Sequence, residues 1–326
     1  MMKLKFLFDN RDLAKMLLEN WKYDENSLDM LNYNRISSNA VYPFQNGENT
    51  RLLRFAPSSE KHKNNILAEL EFLRYLSYNQ FPALKTVLSK IGEELVTAKT
   101  PWGEYYAEVF DKVAGVKMAD TDFNESIMYE FGRTLGKLHK LSSKFVPVCK
   151  RWSYEDVLLW INSTLSDLPN QEQAIKEVEL LHNYFTKIPK TSDTYGLVHY
   201  DFELDNVFYD DVMGVCNVID FDDAMYHWYI MDIEQSLDSI KEDIEPMKYE
   251  LSSKIFLEGY KSQYPVDDEM LSILPVFRRF ANLYSYTRVI RASIEKWENE
   301  PKWLIDLRVR LDNSMKSKLA SFGSVL

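Results

Sequence analysis

The sequence predicts an α+β chain built in two parts, a small antiparallel sheet with one helix followed by a larger, mostly helical region. Two patterns predict it. Between residues 33 and 110, strand-like runs alternate with turn residues, and after Gly115 the apolar residues recur at helical spacing. A third observation points to chemistry. Six of the fourteen side chains in His199–Asn206 (HYDFELDN) and Val218–Asp223 (VIDFDD) are Asp or Glu, yet the residues around them read as core. Unpaired acids at the ends of buried strands repel one another and resist desolvation, so a cation is expected among them.

The elements follow in order. The N-terminal MMKLKFLFDNRD has a brief apolar patch, an early acid and no small-residue cleavage site, and is not read as a signal peptide. Asn39–Phe44 and Thr50–Phe55 are strands separated by the turn residues Gln45–Asn49. From about Glu60 to Tyr78, Ile66, Leu70 and Leu73, with Leu67 and Leu76 beside them, form one face of a helix that Pro82 ends. Glu94–Ala98 and Tyr105–Phe110 are strands around a Pro101-Trp102-Gly103 turn. Residues 1–110 are therefore taken as a β-rich lobe and 111–326 as a helical one. In the second part Ile127, Phe131, Leu135 and Leu138 make a buried stripe. Gly132 and Gly136 on an adjacent face allow a neighbouring helix to approach closely. Further helices are expected near 153–166, 171–187, 231–245, 248–263, 268–294 and 301–320. A hairpin around 207–219 is the clear strand signal in this part.

Composition narrows the function. With 326 residues and 45% apolar content the chain can bury a sizeable core. Its net charge of −11 lacks the basic footprint of a nucleic-acid binder. Cys149 and Cys216 are the only cysteines, too few for a disulfide framework or a CxxC metal site, which fits a reducing cytosol. No apolar run approaches a membrane span. A soluble cytoplasmic protein with no nucleic-acid or membrane partner is expected. Nothing in the sequence sets its oligomeric state.

The hairpin places the acids. Val207-Phe208-Tyr209 and Val215–Ile219 are joined by Asp210–Gly214, a turn of five residues. With Tyr209 opposite Val215, Asn206 faces Val218, and Asp220 lies two residues further, about 7 Å along the strand. An amide oxygen and a carboxylate at one open end are hard ligands suited to Mg²⁺, which takes few protein ligands and completes its shell with phosphate and water. Asp201 enters the same opening, where a carboxylate can accept a hydroxyl proton or orient a nucleophile. Alternatively, Asp201, Asn206 and Asp220 are turn and strand-end residues with no chemical role.

The pattern His199-x-Asp201-x4-Asn206, with Ile219-Asp220-Phe221 on the next strand, resembles the catalytic signature of the aminoglycoside phosphotransferase and choline kinase-like family, relatives of the protein kinases. Leu135-Gly136-Lys137-Leu138-His139 is similar to a helical segment of that family, and the order of the two parts also matches. The resemblance implies a two-lobed protein kinase-like fold and an ATP-dependent transfer to the hydroxyl of a small molecule. It makes Asp201 the catalytic base, Asn206 a metal ligand and Asp220 the principal Mg²⁺ ligand. Glu69 resembles the helix glutamate that orients a basic strand residue, and that position falls on Arg54. His199 receives no chemical role. The nucleotide base is expected against the connection Glu108-Val109-Phe110-Asp111.

Three departures accompany the resemblance. Arg54 stands where Lys is commoner, a planar fork in place of a point charge. Arg35–Ala40 occupies the place of the phosphate loop without a glycine, leaving Ser37, Ser38 and main-chain N–H groups to cap phosphates. Phe221 is followed by Asp222 and Asp223 in place of Gly; these either help hold a second cation or are exposed turn acids. The first two departures also fit a non-catalytic nucleotide-binding scaffold. A protein kinase is disfavoured, since no Ala-Pro-Glu segment follows Asp220. Glu234, Asp238 and Glu242 line one face of the helix after the signature, read as either a solvated acidic face or an amine-binding wall. Tyr226, Trp228 and Tyr229 are either core or a cover for such an amine. Asp232 is either an N-cap or a substrate contact. The acceptor stays open among aminoglycosides, amino alcohols, sugars and other antibiotics.

Overall fold

Asn10 caps a first helix, α1 (Arg11–Leu18), by accepting the Leu13 N–H at 3.0 Å. The computed structural model describes residues 1–324. After α1 come the strands β1 (Arg35–Ile36), β2 (Ala40–Asn46) and β3 (Asn49–Pro57), the helix α2 (Lys63–Tyr78), and the strands β4 (Val96–Thr100) and β5 (Gly103–Asp111). The five strands form one antiparallel sheet in the order β1-β2-β3-β5-β4. Ala40, Tyr42 and Phe44 alternate inward along β2, the period-two pattern of a strand with one buried face. Leu13, Leu17 and Leu18 of α1, with Trp21, cover that face. The helix α1 was not expected, since its eight residues are too few for the apolar positions to show a sustained period.

The helix α2 buries Ile66, Leu70, Leu73 and Leu76, as their spacing predicts. They join the core of the helical part, not the core under the sheet. That part continues with β6 (Val116–Lys117), α3 (Glu125–Ser142), α4 (Tyr154–Ser166), α5 (Glu172–Phe185), β7 (Tyr195–Val198), β8 (Val207–Asp210), β9 (Val215–Val218), β10 (Met225–Trp228), α6 (Ile230–Asp243), α7 (Tyr249–Lys261), α8 (Asp268–Ser272), α9 (Leu274–Ser293) and α10 (Lys302–Leu319). The short β6 extends the β8–β9 hairpin to three strands, and β7 pairs with β10. Strands of two to four residues leave too little alternation to read from sequence. The helix expected over 268–294 is broken at Ile273, and Pro275 opens α9 in the first turn, where its missing N–H costs nothing. Among the described residues no helix is long and apolar enough to cross a membrane.

The hairpin register differs from the expected one. Asp210 pairs with Val215 and Tyr209 with Cys216, so the turn is Asp211–Gly214, one residue shorter than read. The Asp210 carboxylate accepts the Val212 and Met213 N–H groups, and Gly214 takes φ +62° to close the turn. The shift puts Asn206 opposite Ile219, whose N–H donates to the Asn206 carbonyl at 2.9 Å. Asp220 is then one residue beyond that pair.

The glycines of α3 act as their placement predicts. An added Cβ at Gly132 would lie 1.9 Å from the Phe256 carbonyl oxygen, and one at Gly259 of α7 would lie 2.0 Å from that of Tyr129. The two helices therefore touch backbone to backbone. Gly132→Ala or Gly259→Ala must push them apart. Each should lower stability by at least about 1–3 kcal/mol, read as a reduced thermal midpoint; an unchanged midpoint would refute this packing.

Candidate active site

Strand β7 buries Gly196, Leu197 and Val198 and delivers His199 into the core. Tyr200 follows with φ +72°, a left-handed conformation rare for a bulky residue. The buried carboxylate of Asp232, in the first turn of α6, explains how this bend is held. It accepts the main-chain N–H groups of His199 and Tyr200 at 2.7 and 2.6 Å, and the His139 Nε2–H at 3.0 Å. Asp232 is thus neither N-cap nor substrate contact. His199 ties the loop to the hairpin, since Nε2 donates to the Ile219 carbonyl at 2.8 Å while Nδ1 accepts the Asp201 N–H at 3.2 Å. Burial pushes its pKa below the ordinary value, consistent with a neutral structural ring.

These contacts bring Asp201, Asn206 and Asp220 together. The Asn206 amide donates to the Asp201 carbonyl at 3.0 Å, and the Asn206 main chain pairs with Ile219, next to Asp220. Asp220 itself has φ +64° and ψ +60°. A left-handed, β-unbranched acid at a strand end is a strained placement of the kind that concentrates at functional sites. Burial, then Asp222, pushes the Asp220 carboxyl up to about 6, against the pull of Arg54. Burial, then Asp223 and Glu203, holds Asp201 well above the carboxylate range, with Arg288 opposing. The desolvated Asp220 carboxylate and the Asn206 amide oxygen are hard donors that could hold a divalent cation; Mg²⁺ takes one or two protein ligands and completes its shell with phosphate and water.

Beside them lies a cavity of about 220 Å³. Leu52, Leu84, Phe110, Val113 and Ile219 line it with apolar surface, and Ser37, Ser38, Arg54, Asn206 and Asp220 with polar groups. Glu69 and Glu108 do not line it. Both sit behind Arg54, which pairs with the Glu69 carboxylate through Nη1 and Nη2 at 2.9 and 2.8 Å and with Glu108 through Nε and Nη2 at 3.1 and 3.0 Å. Its guanidinium carbon lies 4.7 Å from the centre of the Phe110 ring. Glu108 pairs with Arg54 in the middle of the β3–β5 ladder. Of the connection Glu108–Asp111, Phe110 lines the cavity, joined by Lys112 and Val113 just beyond the strand, and Glu108 does not. Burial and the second acid push the Glu108 carboxyl up to about 7, with Arg54 pulling it down.

Asp222 and Asp223 are not exposed, and the cations they need come from the protein. Asp222 pairs with Lys61 and accepts from the Asn39 amide at 3.1 Å; Asp223 pairs with Arg288 at 2.5 Å. Burial raises both, but Lys61 and Arg54 for Asp222, and Arg288 for Asp223, outweigh it and hold the two carboxyls below the usual range. Arg151 donates to the carbonyls of Phe221, Asp222, Ala224 and Asn65 and so sets the turn after Asp220. A second cavity, of about 500 Å³, opens here between Lys61, His62, Trp152, Asp223, Tyr284 and Arg288, and shares Ser38 with the first. The acidic face of α6 is no open wall: Arg278 pairs with Glu234 at 2.5 Å and Asp238 at 2.7 Å. Trp228 is core, packed on Tyr154 and Phe185. The sequence reading missed Lys61, Arg151, Lys112 and Arg288. The Asp222-Asp223 doublet was a signal that cations were needed, but their sources lie 65 or more residues away along the chain.

Comparison with known proteins gives the family. Residues 33–250 match the phosphotransferase enzyme family (APH). Amicoumacin kinase of Bacillus subtilis (strain 168) is 26% identical over 273 residues, covering 80% of each chain. Among solved structures, an amicoumacin kinase in complex with AMP-PNP, Ca²⁺ and Ami superposes with a TM-score of 0.77 at 22% identity, covering 97% of this chain and 95% of that one. A microcompartment-associated aminopropanol kinase gives 0.71 at 19% identity, covering 95% and 96%. Since the family match spans well over half of the chain, this protein belongs to the phosphotransferase enzyme family and is a small-molecule kinase with a protein kinase-like fold.

Proposed function

We propose that the chain transfers the γ-phosphoryl group of ATP to a hydroxyl of a small molecule, with Asp201 as the proton acceptor. The convergence of Asp201, Asn206 and Asp220 beside a cavity that Arg54 also lines carries this reading. Residues 1–110 act as the nucleotide-binding lobe and 111–326 as the catalytic and acceptor-binding lobe. Phe110 flanks the base, Ser37 and Ser38 cap phosphate oxygens, and Arg54 faces the phosphates while Glu69 and Glu108 position it. Asn206 and Asp220 would hold Mg²⁺, which supplies charge neutralisation to the phosphates when bound.

In the reaction an acceptor oxygen forms a bond to the γ-phosphorus as the bond to the β–γ bridging oxygen breaks. The electron pair leaves with ADP, and the hydroxyl proton passes to Asp201 and then to water. The acceptor occupies the larger cavity, which borders the nucleotide cavity at Ser38 and includes Asp223 and Arg288, two charges that act on Asp201. Two relatives are named for amicoumacin and aminopropanol, so amine-bearing alcohols and hydroxylated antibiotics are the acceptors to try first. A panel of such compounds, read by ADP release, tests the assignment.

Asp201→Ala and Asp201→Asn should each lower kcat on the order of 10²–10⁴-fold, with ADP affinity close to wild type. Turnover retained in both variants would refute the role of Asp201. Asp220→Ala should weaken Mg²⁺ dependence of nucleotide binding by at least the roughly tenfold that loss of an outer-shell partner costs, and Asn206→Ala should act in the same direction. Calorimetric titration of nucleotide with and without Mg²⁺ reads this without any acceptor; an unchanged metal dependence would exclude them as ligands. A pH effect follows from Glu108. Its carboxyl is raised from 4.5 to about 7 in the fold, so its contribution to stability is present below pH 4.5 and is lost as pH rises through 7. Glu108→Gln removes that loss. The thermal midpoint of the variant should therefore gain on that of wild type between about pH 5 and 7; parallel profiles would contradict it.

A further inference from the structure

Two arginines face the paired cavities, and they differ in what they have left to give. A guanidinium carries five N–H donors. Arg54 directs Nε, Nη1 and Nη2 at two buried carboxylates through four hydrogen bonds, so both of its bidentate edges are occupied. In that state it offers phosphate one N–H and no fork. Arg288 of α9 makes two such bonds, from Nη1 to Asp223 and from Nη2 to Ser38 Oγ at 2.9 Å. Three N–H groups remain. Its side chain is 19% exposed, and its guanidinium carbon lies 5.2 Å from the centre of the Tyr284 ring, a cation–π contact.

The position of Arg288 matters as much as its valence. It bonds the same Ser38 that separates the nucleotide cavity from the larger one, and it lines the larger one with Asp223. Its charge acts on Asp201. A phosphoryl group passing from one cavity to the other must cross the boundary that Arg288 borders.

We propose that Arg288 is a catalytic residue, whose unused guanidinium N–H groups contact the phosphoryl in transfer and supply the charge that Arg54, locked between Glu69 and Glu108, withholds. The proposal rests on the phosphoryl-transfer reading above. As the oxygen–phosphorus bond to the acceptor forms and the bond to the bridging oxygen breaks, negative charge spreads over the equatorial oxygens of the phosphoryl, and Arg288 meets it from the α9 side. An arginine supplied from within the same chain does this work in some nucleotide hydrolases.

Arg279, earlier on α9, is the control. It pairs with Glu177 of α5 at 2.6 Å and so anchors the same helix, but lines neither cavity. Arg288→Ala and Arg288→Lys are compared with Arg279→Gln by kcat and KM for ATP, by thermal midpoint, and by affinity for ADP with Mg²⁺ in the presence and absence of aluminium fluoride. The fluoride complex mimics the phosphoryl in flight and needs no acceptor. The Arg288 variants should lose on the order of 10²–10³-fold in kcat, with the lysine variant less affected. They should lose the extra affinity conferred by aluminium fluoride, while ADP binding alone stays within a few-fold. Arg279→Gln should lower the thermal midpoint and keep both kcat and the fluoride-dependent affinity. If Arg288→Ala loses ADP binding and stability in step with activity and Arg288→Lys restores everything, or if Arg279→Gln does equal damage to kcat and fluoride-dependent affinity, the arginine is only a latch for the helix. Unchanged fluoride-dependent affinity in the Arg288 variants overturns the proposal alone. Failure of the wild-type chain to bind ADP overturns the phosphoryl-transfer reading, and this inference with it.

Discussion

The whole site hangs on one buried carboxylate. Asp232 accepts two consecutive main-chain N–H groups at the bend of His199 and Tyr200 and a third bond from His139, whose Nδ1 meets the Tyr260 hydroxyl at 2.9 Å. A buried acid is costly unless its lone pairs are filled, and here three donors fill them. In return the left-handed Tyr200 is pinned, His199 is aimed at the hairpin, and the loop carries Asp201 to the place where Asn206 and Asp220 meet. The α3–α7 contact contributes from behind. His139 lies on α3 and Tyr260 on α7, and the glycines that let those helices touch also bring these two side chains within hydrogen-bond reach.

Charge balance organises the rest. The acids that crowd the end of the hairpin fall into two sets. Asp222 and Asp223 are satisfied internally, by Lys61 and Arg288. Asp201 and Asp220 make no ion pair with the protein among the described residues, and burial drives their carboxyls upward. This division separates acids that the fold pairs with its own cations from acids that it buries without one. The exchange of the commoner lysine for Arg54 belongs to the same balance. A point charge could serve Glu69 alone, whereas a planar fork serves Glu69 and Glu108 together.

Much of this was legible in the sequence where local patterns dominate. The stripe of α3, the face of α2, the hairpin and the His199–Asp220 signature are short-range and strongly periodic. The register of the hairpin slipped by one because Asp210 was assigned to the turn, when its carboxylate caps the turn from the last ladder position. Glu108 was expected near the nucleotide as part of the connection Glu108–Asp111. Only the cross-strand pairing with Arg54 reveals that its carboxylate points at the guanidinium. The partners of Asp222, Asp223 and the 221–224 turn were invisible for a simpler reason. Lys61, Arg151 and Arg288 converge from three distant segments, and no spacing rule links them.

The turn at Ser37–Asn39 has one more implication. It contains no glycine, and its Ser38 and Asn39 are held by Arg288 and Asp222. The backbone freedom that glycine would give is missing there. The turn is moored instead by charge-assisted bonds to distant parts of the chain, so its hold is ionic and should loosen as salt rises.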